Sequence, residues 1–158
     1  MNIFILDKVP EVAASYHCDK HVPKMIVETA QLLSTAHHVL DEDDVMPGIY
    51  KTAHKNHPCS IWARESTQNY RWLHRLGEGL IDEYHRRYGF KQHKTMPIMD
   101  LLKTAPKNSL NKGLTPFAQA MPDEYKHENA VTAYRTYYLH DKAPICTWRL
   151  DTPNWWTL

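Results

Sequence analysis

Apolar residues recur at three- and four-residue intervals through most of this chain, the mark of helices with one buried face. Ile3, Phe4, Ile5 and Leu6 break that rhythm. They form a continuous apolar run, read as a small strand or an extended lead into the core. Pro10 suits the first turn of a helix, which is expected to continue over residues 11–21. Pro23 removes a backbone donor, so the spacing predicts a kink or short break near residues 19–22. Met25, Ile26, Thr29, Leu32, Leu33, Ala36 and Val39 then restore the helical period. An acidic loop, Asp41 to Asp44 followed by Pro47-Gly48, closes it.

A second long helix is announced by Asn56-His57-Pro58, with Pro58 as its first residue. Ile61, Trp62, Tyr70, Leu73, Leu76, Leu80, Ile81 and Tyr84 give it a buried face reaching Tyr88, and Gly89 is a natural C-cap. A short helix is expected over 97–103 and a last one over 125–140. The stretch 104–124 is loop-rich, with Pro106, Asn108, Gly113, Pro116 and Pro122. No strand alternation follows residue 6. The fold class is all-α: three main helices with irregular connections, in one domain spanning 1–158, a size that can bury a real core.

The helix pattern places His17, His21, Lys24 and Glu28 at offsets of 4, 7 and 11 residues, one stripe beside the apolar Val22, Met25, Ile26 and Val27. Ionisable groups concentrated on one stripe point to handling of protons, a metal or a phosphate. A carboxylate such as Glu28, pulled up by burial and down by neighbouring cations, is how a general acid or base is tuned. The alternative is a surface Glu28 paired with Lys24 at i−4. His17 and His21 have the i, i+4 spacing of paired metal ligands, to which Asp19, Glu28, His54 or His57 could add. The commoner role of such a histidine is to orient another group. Asn56, His57 and Arg64 flank a helix N-terminus, where free N–H groups favour an anion.

Net charge is only +1, yet it is unevenly spread. Residues 86–112 carry seven basic groups (Arg86, Arg87, Lys91, Lys94, Lys103, Lys107, Lys112) against Asp100 alone. Such a patch can meet a phosphate backbone without a basic pI, or can be a solvated connection. Three cysteines without CxxC spacing argue against a disulfide scaffold and fit a reducing cytoplasm. No apolar run approaches a membrane span and the N-terminus lacks a basic signal region, so no membrane partner is expected. Trp148, Trp155 and Trp156 crowd the C-terminus, as a packed tail or a stacking platform.

With these residues in place, the chain resembles the pyrimidine-dimer DNA glycosylase/AP-lyase family first known from T-even phages. Cys18-Asp19-Lys20-His21-Val22 followed by Glu28 is similar to that family's Asp-x-His-hydrophobic run with its catalytic Glu seven residues after the His. The stretch from Trp72-Leu73 through Ile81-Asp82-Glu83-Tyr84-His85-Arg86-Arg87-Tyr88-Gly89-Phe90 looks like the family's long helix ending in a basic Gly-Phe. Thr147-Trp148 is similar to its aromatic tail. The resemblance implies an all-α enzyme, phage-encoded and working in the host cytoplasm, that distorts a damaged site in duplex DNA. It implies an N-terminal amine as nucleophile, a Schiff base at C1′, an assisting Glu and no cofactor. Two departures stand out. The family's amine is exposed by removal of the initiator Met, whereas Asn2 is expected to leave Met1 in place. The family's Arg residues around its Glu are Val27 and Gln31 here.

The sequence reading is therefore a DNA glycosylase acting on a damaged or modified pyrimidine. Glu28, His21, Lys24 and Asp19 are the expected catalytic residues, with Lys24 or the amino-terminus as the amine. Asn56, His57, Arg64 and His17 are expected to hold substrate, and Arg86, Arg87, Lys91, Lys94 and Lys103 to contact DNA. A metal-dependent hydrolase, or a non-catalytic DNA-binding module of the same fold, are the alternatives.

Overall fold

The structure is a computed structural model and describes residues 1–89 and 91–158. Six α-helices follow one another: α1 (Pro10–Tyr16), α2 (His21–Asp41), α3 (Pro58–Glu65), α4 (Thr67–Tyr88), α5 (Met96–Leu101) and α6 (Ala130–Tyr137). Among the described residues there is no strand, and no helix is long and apolar enough to cross a membrane. The expected all-α class holds.

The expected kink before Pro23 is a full break. α1 stops at Tyr16, His17 is extended, and α2 restarts at His21. Pro23 thereby becomes the third residue of α2, where a backbone N–H has no intrahelical partner and its absence costs nothing. His17 is therefore off the helix that carries His21, Lys24 and Glu28, and the four-residue stripe shortens to three.

The long second helix is likewise two helices. Ser66 adopts an extended backbone, and its hydroxyl accepts the Asn69 amide at 3.0 Å, a serine N-cap that starts α4 afresh. The expected helix over 125–140 is shorter as well. Asn129 accepts the Val131 and Thr132 amides and so fixes the start of α6. Beyond Tyr137 the chain widens through a π-type turn, Tyr138–Lys142, and then tightens into a 3-10 turn, Ala143–Ile145. Gly89 ends α4 as expected, at φ +76, a backbone region that side chains resist. The reading of Gly89-Phe90 as a pair rests partly on Phe90, which lies outside the described residues.

α4 is the axis of the fold and packs against α1 and α2. Its approach to α1 is set by Gly79, where a Cβ would stand 2.8 Å from the Ala14 Cβ. Leu73, Leu76 and Leu80 of α4 meet Ile26, Leu32 and Leu33 of α2 in one apolar cluster. Each such side chain contributes roughly 1.5–3 kcal/mol by burial. The extended segment Ile3, Phe4, Ile5 and Leu6 belongs to the same cluster and is buried throughout. Burying an extended N-terminus is what brings the first residue of the chain to α2. The tryptophan tail is packed: Trp148 donates to the Tyr16 carbonyl at 3.1 Å, and Trp155 meets the Tyr16 ring edge-on.

Candidate active site

On α2, Met25, Ile26, Thr29 and Ala30 are buried. The opposite side, Lys24, Val27, Glu28 and Gln31, follows i, i+3, i+4, i+7 and faces outward. The buried N-terminal segment runs up to this side. The Met1 amino nitrogen lies 3.2 Å from Glu28 Oε1, and Lys24 Nζ lies 3.9 Å from Glu28 Oε2. Met1, Lys24, Val27, Glu28, Gln31 and His54 line one cavity of about 440 Å3. The Glu28 side chain is 13% exposed and that of Lys24 66%, so the carboxylate sits at the cavity floor and the ammonium at its rim.

Asn2 holds the amine in place from behind. Its Nδ2 donates to the Ala120 carbonyl at 2.9 Å, and its Oδ1 accepts from the Tyr134 hydroxyl at 3.0 Å and from the Ile3 amide at 2.8 Å. Residues 118 and 132 positions away in sequence thus clamp the first peptide unit. Cys59 also approaches Asn2 Oδ1, and burial pushes its thiol up to about 11, so it stays protonated and is no nucleophile.

Two imidazoles reach the same region from the turn before α3. The His57 amide donates to the His54 carbonyl at 2.9 Å. His57 is the N-cap of α3, its Nδ1 accepting the Cys59 amide at 3.1 Å. With Nδ1 an acceptor, the neutral ring carries its proton on Nε2. Burial first, then the Met1 ammonium and His54, hold His57 below the usual imidazole range, while Glu28 opposes them. His54 has φ +48, a left-handed conformation that glycine adopts freely and that asparagine, aspartate and histidine adopt more often than other residues.

The other half of the dense sequence stretch is buried and self-contained. Arg87, from the end of α4, passes under the 17–20 break. Its Nη1 donates to the His17 carbonyl at 2.7 Å and to Asp19 Oδ1 at 3.1 Å, and its Nη2 to Glu83 Oε1 at 2.8 Å and the Ser15 carbonyl at 3.0 Å. His17 Nδ1 meets the Ala13 carbonyl at 2.7 Å, and burial drives this ring down to about 3, so it stays neutral. His21 stacks on Phe4 at 4.6 Å, and its Nδ1 meets the Tyr138 hydroxyl at 2.6 Å. Cys18 and Cys146 share a thiol hydrogen bond, which with His21 draws Cys18 below the usual thiol range and pushes Cys146 above it. Asp19, His17 and His21 do not line the cavity that holds Glu28. The i, i+4 helical pair expected of His17 and His21 does not form, because the chain breaks between them. Among the described residues, no three His, Cys, Asp or Glu side chains are grouped as metal ligands.

Residues 1–96, the part of the chain that builds both clusters, match the family described as pyrimidine dimer DNA glycosylase. The chain belongs to that family. No curated protein and no solved structure matches it. For a member of a DNA glycosylase family the substrate is DNA. Lys91, Lys94 and Lys103 are exposed. Between the first two, the buried His93 ring lies against the Pro23 carbonyl, which sets this loop beside the start of α2 and next to Lys24. Arg86 is exposed but pairs with Glu83 at 3.1 Å, and Arg87 is turned wholly inward. Arg64 donates to Ser60 of its own helix at 3.1 Å, and Asn56 is exposed in the turn that carries His54 and His57.

The stripe on α2 disclosed Lys24 and Glu28. Nothing in the sequence disclosed that Asn2, Ala120 and Tyr134 fix the amine beside them. His54 could have been found only as a histidine close to the Asn56-His57-Pro58 helix start.

Proposed function

We propose that this protein is a DNA glycosylase with lyase activity on a damaged or modified pyrimidine in duplex DNA. The N-terminal amine is the nucleophile and Glu28 the carboxylate that serves it. The observation that carries this reading is the 3.2 Å contact between the Met1 nitrogen and Glu28, in a cavity open to solvent. A nucleophilic amine needs an adjacent base to take its proton, and the base must lie within hydrogen-bond reach. Lys24 is 3.9 Å from the same carboxylate and largely exposed, which suits it to a phosphate at the rim.

In this reading Glu28 takes a proton from the amine, and the nitrogen forms a bond to C1′ of the sugar. The C1′–base bond breaks, and its electron pair leaves with the base. Opening of the sugar leaves a Schiff base at C1′. Removal of a C2′ proton then expels the 3′ phosphate. Glu28 also stabilises the positive charge that develops at C1′. Asp19 and His21 act indirectly: Asp19 ties the 17–20 break to Arg87, and His21 stacks on Phe4 of the segment that delivers the amine. Lys91, Lys94 and Lys103, with Asn56, Arg64 and Arg86 further out, meet the DNA backbone.

The test is turnover on a duplex oligonucleotide bearing a single thymine dimer, beside the undamaged duplex and the free dimer dinucleotide. Strand scission on the dimer duplex alone supports the reading. Release from the free dinucleotide at an equal rate would make the substrate a small molecule, and the DNA part of the reading would fall.

A further inference from the structure

We propose that His54 is the general acid that protonates the departing base. This rests on the glycosylase reading of the same cavity. Attack of the amine at C1′ requires the base to leave with the bonding electron pair, and a pyrimidine anion is a poor leaving group unless a proton reaches it. Glu28 faces two ammonium groups, Met1 at 3.2 Å and Lys24 at 3.9 Å, and is placed to take a proton rather than give one. The amine is spent as the nucleophile. Val27 and Gln31 have no acidic proton. Lys24 stands at the exposed rim with its ammonium turned to the Glu28 carboxylate at 3.9 Å. His54 is the remaining wall of the cavity, and imidazole is the side chain that exchanges a proton in this range.

The backbone supports the assignment. His54 adopts φ +48 at a position where no glycine is used. Surrounding structure holds the turn in this conformation. Here the His54 carbonyl is bonded by the His57 amide at 2.9 Å, and the Ala53 amide before it by Thr35 Oγ1 at 3.0 Å. The side chain therefore leaves α2's neighbour turn toward the cavity on a fixed stem. The charged and titratable groups around it are Met1, Lys24 and Glu28 in the cavity, Lys55 beside it in sequence, and His57, whose own ring the Met1 ammonium and His54 both disfavour charging. In the step, His54 gives its ring proton to the base as the C1′–base bond breaks, and recovers one from solvent.

The experiment separates cleavage of the C1′–base bond from the later lyase step; in a thymine dimer the freed base stays joined to its neighbour through the cyclobutane ring, so base release is read as loss of that bond. His54→Gly keeps the left-handed backbone at no steric cost and removes only the ring, and His54→Asn is a second variant that tolerates the same φ. Both are compared with wild type on the thymine-dimer duplex and on a duplex with a preformed abasic site, where no base has to leave. The expected result is base release slowed about 100-fold or more, scission of the abasic duplex within about threefold of wild type, and partial recovery of base release by added imidazole in His54→Gly. Base release within threefold of wild type in both variants would overturn the proposal. So would equal losses on the two substrates without imidazole rescue, which would make His54 a structural residue of the turn. If wild type acts on neither duplex, the glycosylase reading itself fails and His54 has no such role. Wild-type activity on both duplexes with unchanged variants fails the His54 assignment alone.

Discussion

Two clusters of ionisable groups flank the start of α2, and they make opposite use of the same residue types. The Arg87 cluster joins Asp19, Glu83 and the His17 and Ser15 carbonyls around one buried guanidinium, whose contacts are all made within the protein. The Glu28 cluster joins two amines to one carboxylate at an open cavity and leaves donors and acceptors facing solvent. Seen as a string of letters the two are continuous, since Asp19 and Glu28 lie nine positions apart. The difference is geometric. The break at 17–20 turns His17 and Cys18 inward and sets Asp19 against Arg87 of α4, whereas Lys24 and Glu28 sit on a regular helix whose far side is already filled by Met25 and Ile26. A buried guanidinium held by four protein acceptors fixes a backbone, and a carboxylate shared by two amines at a cavity is available for chemistry.

That contrast breaks down if charge removal has the same effect in both clusters. The largest expected effect is on catalysis. Glu28→Gln keeps the side chain's size and should slow base release about 100- to 10,000-fold, with a melting temperature close to wild type. Single-turnover excision and thermal melting report the two quantities on one preparation. Arg87→Met should do the reverse. It leaves the Asp19 and Glu83 carboxylates without their partner and should cost roughly 3–5 kcal/mol of stability in urea unfolding. The protein that remains folded should keep its rate.

A third effect is a pH dependence of stability centred on His17. Burial depresses this ring from the ordinary 6.5 to about 3. Between those values the unfolded chain binds a proton that the folded protein does not. Stability should therefore fall as pH drops through this window, by roughly 1.4 kcal/mol per pH unit for one ring. His37, His57 and His93 are also depressed by burial and add to the slope. His17→Asn should make the acid limb of unfolding shallower by about one proton, and an unchanged slope would show that His17 is not held neutral. The smallest effect concerns DNA. Replacing Lys91, Lys94 and Lys103 by Ala should reduce the slope of log affinity against log salt by about 0.9 per lysine that meets a phosphate. Binding to unrelated sequences should weaken equally, since phosphate contacts carry no sequence information.

Much of this molecule was legible in its sequence, for reasons that can be named. Helical period and proline placement gave α2 and the starts of α1 and α3, because those signals are local. The stripe gave Lys24 and Glu28, because both stand on an unbroken helix. The same logic misplaced His17, since the stripe was carried across the break expected ahead of Pro23, and that break proved complete. It grouped Arg87 with the DNA-facing cations, because a basic run cannot show which of its members turns inward. The serine cap at Ser66 was locally readable, but the apolar periodicity running through it favoured one long helix. Asn2, Ala120 and Tyr134 hold the amine through contacts more than a hundred positions apart, and no local pattern encodes them.

The central claim is that the Met1 amine, served by Glu28, is the reacting group. Borohydride reduction during turnover on the thymine-dimer duplex tests it most directly, followed by mass mapping of the protein–DNA adduct. The account predicts a covalent adduct on the N-terminal peptide, at the α-amine. That adduct should form undiminished in Lys24→Ala and be lost when the α-amine is acetylated. An adduct on Lys24, or turnover that never yields one, would contradict it.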